Sequence, residues 1–330
     1  MRVGVIGCGL IGSRRARVAG SQLTWVCDAL PETGQSLADQ LGTRALLDWR
    51  QGLDQVDAIV VATPNGYAFE IVQAALERGL HVLMEKPMGI NLEQATQLAA
   101  LAADSRGVLK VGFNHRYHPA LVQAHQLLPE LGPIFTMRAR YGHGGRPGYE
   151  KEWRGDPALA GGGVLLDQGV HIVDLLGWFA GLPATAYAQC RTACWQIAPL
   201  EDNAMGLLTY ASGALASLHV GWTQWKNVFS LEIFAERGSL HADGLGGSYG
   251  PESLRCFRRK PEGGVPEEQS WDYAGPDTSW ELEWQDFLRG CAGQPFWGTA
   301  QDGLRAMQTL HGLYASAASG TVISISSGGN

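Results

Sequence analysis

The opening of the chain constrains its fold more than any other stretch. Val3 to Ile6 is short and β-branched, as in a buried strand, and runs straight into Gly7-Cys8-Gly9-Leu10-Ile11-Gly12. That spacing is G-x-G-x-x-G, and a helical pattern follows from about Ile11 to Gly20. The first glycine permits the turn, the second lets backbone approach a pyrophosphate, and the third lets helix and strand pack closely. The next strand, Leu23 to Cys27, ends in Asp28. An acid there is placed to bond ribose hydroxyls and would repel a 2′-phosphate, so NAD is the expected cofactor rather than NADP.

The α/β alternation continues. Asp57 to Ala62 and Leu80 to Met84 read as buried strands, Tyr67 to Arg78 as a helix, Asn91 to Ala103 as a helix capped by Asn91, and Val108 to Phe113 as a further strand. Ligands of such sheets bind beyond the carboxyl ends of the strands. Those ends hold Gly7, Gly9, Leu10, Ile11, Gly12, Asp28, Thr63, Pro64, Asn65, Glu85 and Lys86, which are the expected cofactor contacts, and then Asn114 to Arg116. Lys86 stands at a strand end before a stiff proline, where its ammonium can stabilise a developing alkoxide.

With 330 residues, two domains are expected, divided near His118-Pro119 into 1–118 and 119–330. A net charge of −7 argues against nucleic acid or an anionic membrane as partner. The six cysteines form no disulfide framework or zinc pattern and read as reduced thiols. No apolar run reaches transmembrane length, and a cytoplasmic protein is expected.

In the second half, GGGVLLDQGVHIVD at 161–174 carries Asp167, His171 and Asp174 at helical spacing, which predicts one shared helix face. Its glycines would let backbone or a ligand approach the helix start. A carboxylate beside an imidazole suits acid/base work, and also suits a core helix whose histidine is satisfied by Asp. A helix is predicted at Ala120 to Leu128 and a strand at Pro133 to Gly142. The loop Tyr141 to Tyr149, with Lys151, Trp153 and Arg154 after it, could fold over substrate or form a surface turn. Strands follow at Thr185 to Trp195, Asn203 to Tyr210, Ala214 to Trp222 and Val228 to Ala235, and a helix at Gln301 to Ala318. Trp222 to Asn227 is an aromatic-polar cluster of the kind that suits a sugar ring or an ordinary strand end. Arg116, His143, Tyr149, Trp153, Arg154 and Lys226 are the expected substrate contacts, with Gly244 to Tyr249 a further loop at the same mouth.

The chain resembles the Gfo/Idh/MocA oxidoreductase family over nearly its whole length. The resemblance rests on GCGLIG at 7–12, ATPN at 62–65, EKP at 85–87, GFNHRYHP at 112–119 and GGGVLLDQGVHIVDLLGWF at 161–179. It implies an N-terminal Rossmann domain and an α+β C-terminal domain with a large open, mostly antiparallel sheet. It implies NAD or a related nicotinamide cofactor, a sugar-like or polyol substrate, and homo-oligomers formed through the broad sheet face. Lys86 matches the family's catalytic lysine, Asp167 and His171 match the acid and histidine of its second-domain motif, and Pro87 matches a proline after a cis bond. The family often has histidine where this chain has Ala68, which puts a minor cofactor-loop contact in doubt.

The expected reaction is reversible hydride transfer between NAD and a ring carbon of a sugar, amino sugar (an aminoglycoside intermediate among them) or sugar nucleotide. His171 takes the hydroxyl proton, Lys86 steadies the alkoxide, Asp167 orients both, and Asp174 is a structural helper. No metal is expected, because Lys86 can do a Lewis acid's work. Two rival readings stand beside this one: a glycosidase acting by transient oxidation, and a nonenzymatic sugar or nucleotide sensor.

Overall fold

A computed structural model describes residues 1–325. The chain divides into two compact units. The first comprises residues 1–113, 158–161 and 280–304, and the second comprises 114–157, 162–279 and 305 onward. This differs from the division expected at 118. Residues 114–118 join the second unit, and a segment far along the chain returns to the first. The cause is the helix Ser279–Cys291, whose Trp284 and Phe287 are buried among Val3, Val26, Val60 and Leu83 of the first core.

The first unit is built on six parallel strands: β1 Val3–Ile6, β2 Leu23–Cys27, β3 Arg44–Leu46, β4 Ala58–Val61, β5 His81–Glu85 and β6 Leu109–Gly112. Their order is β3-β2-β1-β4-β5-β6. Strands of a parallel sheet are covered on both faces, which explains the unbroken apolar runs; β4 reads AIVV and all four residues are buried. Burying each such aliphatic side chain contributes roughly 1.5–3 kcal/mol. The strand order reverses at β1 and β4, and it is there that the glycine loop begins.

Among its described residues the second unit carries nine strands: β7 Ile134–Gly142, β8 Thr185–Arg191, β9 Asn203–Thr209, β10 Leu215–Gly221, β11 Val228–Ala235, β12 Gly238–Asp243, β13 Glu252–Arg258, β14 Glu267–Tyr273 and β15 Ile323–Ser324. Their order is β14-β13-β12-β11-β7-β10-β9-β8-β15. Every pairing is antiparallel except β7 with β10. The fold class is therefore α/β, a parallel Rossmann sheet followed by a domain with a mostly antiparallel one. Helices Pro119–Leu131 and Gly169–Ala180 pack on one face of this sheet. On the other, Arg138, Arg140, Met205, Leu207, His219 and Glu232 line a shallow depression, and Met205 and Leu207 are exposed. Among the described residues no single helix is long and apolar enough to cross a membrane.

Candidate active site

In the first unit the glycine loop is shaped by backbone contacts. Gly7 has φ +90°, and a Cβ on it would lie 2.5 Å from the Ala62 carbonyl oxygen. A Cβ on Gly12 would lie 1.7 Å from the Gly7 oxygen, so helix and strand meet there at backbone distance. A Cβ on Gly9 would meet nothing within 4 Å. Helix Leu10–Ala19 begins at Gly9 without a side-chain cap, and Leu10 is exposed. The Asp28 carboxylate accepts the Cys8 N–H at 2.6 Å on Oδ2 and the Leu30 N–H at 2.9 Å on Oδ1. Each oxygen keeps a second lone pair, so the acid is fixed in place and still able to accept from a ribose hydroxyl. Thr63 Oγ1 is buried with no hydrogen-bond partner in the protein. An uncapped helix start, open space over Gly9, a pinned acid and an orphaned hydroxyl fit a dinucleotide.

Two expected cofactor contacts are taken up by the protein instead. Asn65 is buried, and its Nδ2 donates to the Ala160 carbonyl at 2.9 Å. Glu85 accepts from Arg15 at 2.7 Å; Arg15 also faces Glu283 at 2.6 Å and lies over the Trp280 ring at 4.4 Å. Burial alone would lower the Arg15 pKa, but the two carboxylates outweigh it and hold the guanidinium charged. Glu85 thus anchors the strand end that presents Lys86. Lys86 is half-buried and its peptide bond to Pro87 is cis.

In the second unit the expected single helix through 161–174 is broken. Val164–Asp167 and Gly169–Ala180 are separate segments, with Gln168 between them. The glycines before the break are packed by protein: a Cβ on Gly163 would lie 2.0 Å from the Glu201 carbonyl oxygen. Asp167 and His171 therefore do not share one continuous face. Asp167 ends the first segment, and the Arg154 Nε donates to it at 3.3 Å. Its charge reaches His143, whose pKa burial lowers, and Tyr141, Tyr149 and Tyr249, all raised by burial first and by Asp167 further; Tyr149 is pushed up to about 12.

His171 is buried in an aromatic and polar pocket. The His115 ring lies 3.8 Å from it, centroid to centroid, and Tyr141 meets it edge-on at 6.0 Å. Tyr141 Oη is 3.5 Å from His115 Nε2, the Tyr249 ring lies 4.9 Å from that of Tyr141, and Gln168 is buried at the break before His171. The sequence reading missed His115, Tyr141, Tyr249 and Gln168 as neighbours of His171. Only the placing of 141–149 and 244–249 at the mouth of a site hinted at two of them.

Beside this pocket, the His143 ring lies 6.4 Å from Trp222 and 6.3 Å from Tyr149, and Tyr149 meets Trp222 at 5.0 Å. His143 Nδ1 accepts the Gly145 N–H at 2.9 Å, which assigns the proton of the neutral ring to Nε2. The Arg154 guanidinium lies over Trp153 at 4.5 Å. Two expected substrate contacts stand elsewhere. Arg116 is buried and gives both its Nε and a terminal nitrogen to Asp174, at 2.9 and 2.7 Å, a structural ion pair. Lys226 is exposed on the turn after β10. Among the described residues no group of three or more His, Cys, Asp or Glu could hold a metal.

A Rossmann sheet with a loop that fits a dinucleotide, followed by a domain with a buried histidine pocket, is the architecture of a nicotinamide-dependent oxidoreductase. Family comparison agrees and narrows it. Residues 1–113 match the oxidoreductase family with an NAD-binding Rossmann fold, and 122–241 match the GFO/IDH/MocA C-terminal domain. The chain belongs to the Gfo/Idh/MocA oxidoreductases. It is 31% identical over 252 residues to 1,5-anhydro-D-fructose reductase of Ensifer adhaerens, covering 72% of this chain and 74% of that one. It is 27% identical over 299 residues to D-xylose 1-dehydrogenase (NADP(+)) 2 of Haloferax volcanii, covering 88% of each. The structure of GenD2 from gentamicin A biosynthesis in complex with NAD superposes with a TM-score of 0.84 at 26% identity, covering 99% of this chain and 97% of that one.

Proposed function

We propose that the protein is an NAD-dependent dehydrogenase that reversibly oxidises a secondary ring hydroxyl of a sugar, amino sugar or sugar nucleotide to a ketone. The observation that carries this is the buried His171 imidazole in a pocket of hydrogen-bonding aromatic groups, beside the ring cluster of His143, Tyr149 and Trp222. Aromatic faces with a few polar donors suit a sugar ring. NAD, when bound, accepts the hydride. An imidazole nitrogen of His171 takes the hydroxyl proton, Lys86 Nζ steadies the alkoxide, and Asp167 favours the protonated histidine through its charge. His143 Nε2–H, Arg154 and Trp153 hold the sugar. Asp28 accepts from the adenosine ribose and selects NAD over NADP. The likeness to GenD2, with the net charge of −7, supports amino sugars as the first substrates to try. The exposed sheet face with Met205 and Leu207 supports a homo-oligomer, and dependence on NAD supports a cytoplasmic enzyme.

The test is NADH absorbance with a panel of sugars, amino sugars and sugar nucleotides. Net NADH formation is the expected result. Bond cleavage without NADH identifies a glycosidase of transient oxidation, and neither outcome leaves a sensor. In Lys86→Ala, kcat falls by about a hundredfold or more while NAD affinity stays near normal; unchanged turnover refutes the role of the lysine.

A further inference from the structure

Oxidation of a carbinol leaves one proton on the protein in every turnover, and His171 is only 6% exposed. That proton needs a way back to water. The His115 ring packs on the His171 ring, centroids 3.8 Å apart and tilted by 41°, and His118 follows one helical turn later, its ring centroid 5.7 Å from that of His115 and tilted by 50°. A gap of that size is one that a bridging water spans. His118 is buried, and its Nδ1 is 3.0 Å from Glu252 Oε2. Glu252 is pinned by the N–H groups of Ala120 and Gly246, at 3.0 and 3.1 Å. His118 and Glu252 both line a cleft of about 360 Å³ that also holds Asp272 and Asp277.

We propose that His115 and His118 form a proton exit: the proton taken by His171 passes to His115, then to His118 beside Glu252, and leaves to water in this cleft. The proposal rests on reading His171 as the base. Each imidazole accepts a proton on one nitrogen and gives one up from the other, so only protons move and each ring returns to neutral. Glu252 makes the direction favourable. Burial would raise its pKa, but His118 and the two backbone donors outweigh this and keep it an anion at 3.0 Å from His118 Nδ1, on the cleft side of the chain. The other charged or titratable groups facing the chain of rings are Tyr141 and Tyr249, held neutral by burial; Asp167 and Asp277, which attract the proton at its two ends; and Arg116, neutralised by Asp174.

The test uses the full chain labelled with ¹⁵N-histidine. Three imidazoles in one relay titrate as a coupled set. In the wild-type protein His115, His118 and His171 are expected to show shared, multi-step curves, and in His118→Gln, which keeps a donor for Glu252, the His115 midpoint is expected to move by about half a unit or more. Independent single-step curves in the wild type overturn the proposal, whether or not the variant folds. The kinetic arm follows the first turnover of a sugar found active in the panel, with a pH indicator in weak buffer. In His118→Gln, NADH appears at the wild-type rate, proton release lags by about tenfold or more, and added imidazole restores it. Coincident NADH and proton release in the variant, or a lag that imidazole does not touch, overturns the exit. If no sugar is turned over, the dehydrogenase reading fails, and the titration still decides the relay.

Discussion

The chain has two glycine-rich helix starts, and they do opposite things. At Gly7–Gly12 the first and last glycines are crowded by backbone, but the middle one faces open space and the helix start has no side-chain cap. At Gly161–Gly163 the protein itself fills the room. The Glu201 carboxylate accepts the N–H groups of Gly163 and Leu165 at 3.2 and 2.9 Å, and its carbonyl accepts that of Val164 at 2.9 Å. The Tyr314 hydroxyl donates to the same carboxylate, at 2.8 Å. Both starts carry the orphan N–H donors of a helix. One leaves them without a side-chain cap, and the other spends them on an internal acid next to Asp167 and the break before His171. Glycine in a motif therefore reports close approach, and only the structure tells whether the approaching group is ligand or protein.

The largest effect expected from this contrast is at Gly163→Ala. The new Cβ would overlap Glu201 backbone at 2.0 Å, so the second unit must shift. A loss of about 3 kcal/mol in denaturant stability is expected, with NAD affinity by calorimetry nearly unchanged. A stable Gly163→Ala protein that has lost NAD binding would reverse the assignment of the two helix starts. A smaller effect of the opposite kind is expected at Gly9→Ala. Nothing lies within 4 Å of its Cβ, so stability should hold within about 0.5 kcal/mol. The same methyl group would stand where backbone meets the pyrophosphate, and NAD affinity should fall by about tenfold. Intact affinity would mean that this loop does not take the dinucleotide.

How much of this was readable beforehand follows the range of the interactions. The Rossmann half was legible because its signals are local: β-branched runs, a glycine spacing and an acid at one strand end. Val228–Ala235 was legible because its burial alternates without a break. β12, β13 and β14 were missed: GSLHAD, ESLRCFR and EEQSWDY hold no β-branched residue, the last two are rich in charge, and they are strands because their neighbours pair with them. Arg116 was taken for a substrate contact because nothing in its own segment announces Asp174, fifty-eight residues on. His171, which the motif at 161–179 singled out, is buried against His115. Its neighbours His115 and Tyr249 come from a turn and a distant loop, and no spacing rule joins them.

The smallest effect concerns pH, and it separates the two carboxylates that organise the second unit. Burial raises the Glu201 pKa above 4.5, and its three side-chain hydrogen bonds only partly offset this. Glu252 is lowered, because His118 and two N–H donors outweigh its burial. The signs are opposite. An acid raised in the folded state costs stability once it must ionise, so the Glu201 contribution is lost as pH rises from about 4.5 through its folded value. An acid lowered in the folded state adds stability above its unfolded pKa, which is lost as pH falls below about 4.5 through its folded value. Glu201→Gln keeps an acceptor for the N–H groups at the helix start and removes the charge. Its stability relative to the wild type is therefore expected to rise with pH above about 4.5, whereas Glu252→Gln should match the wild type in acid, lose ground as pH rises toward about 4.5 and keep a constant deficit above it. Denaturant melts at several pH values read both trends. Parallel curves for the two variants would mean that the sealed helix start is held by the geometry of Glu201 alone, with its charge contributing nothing.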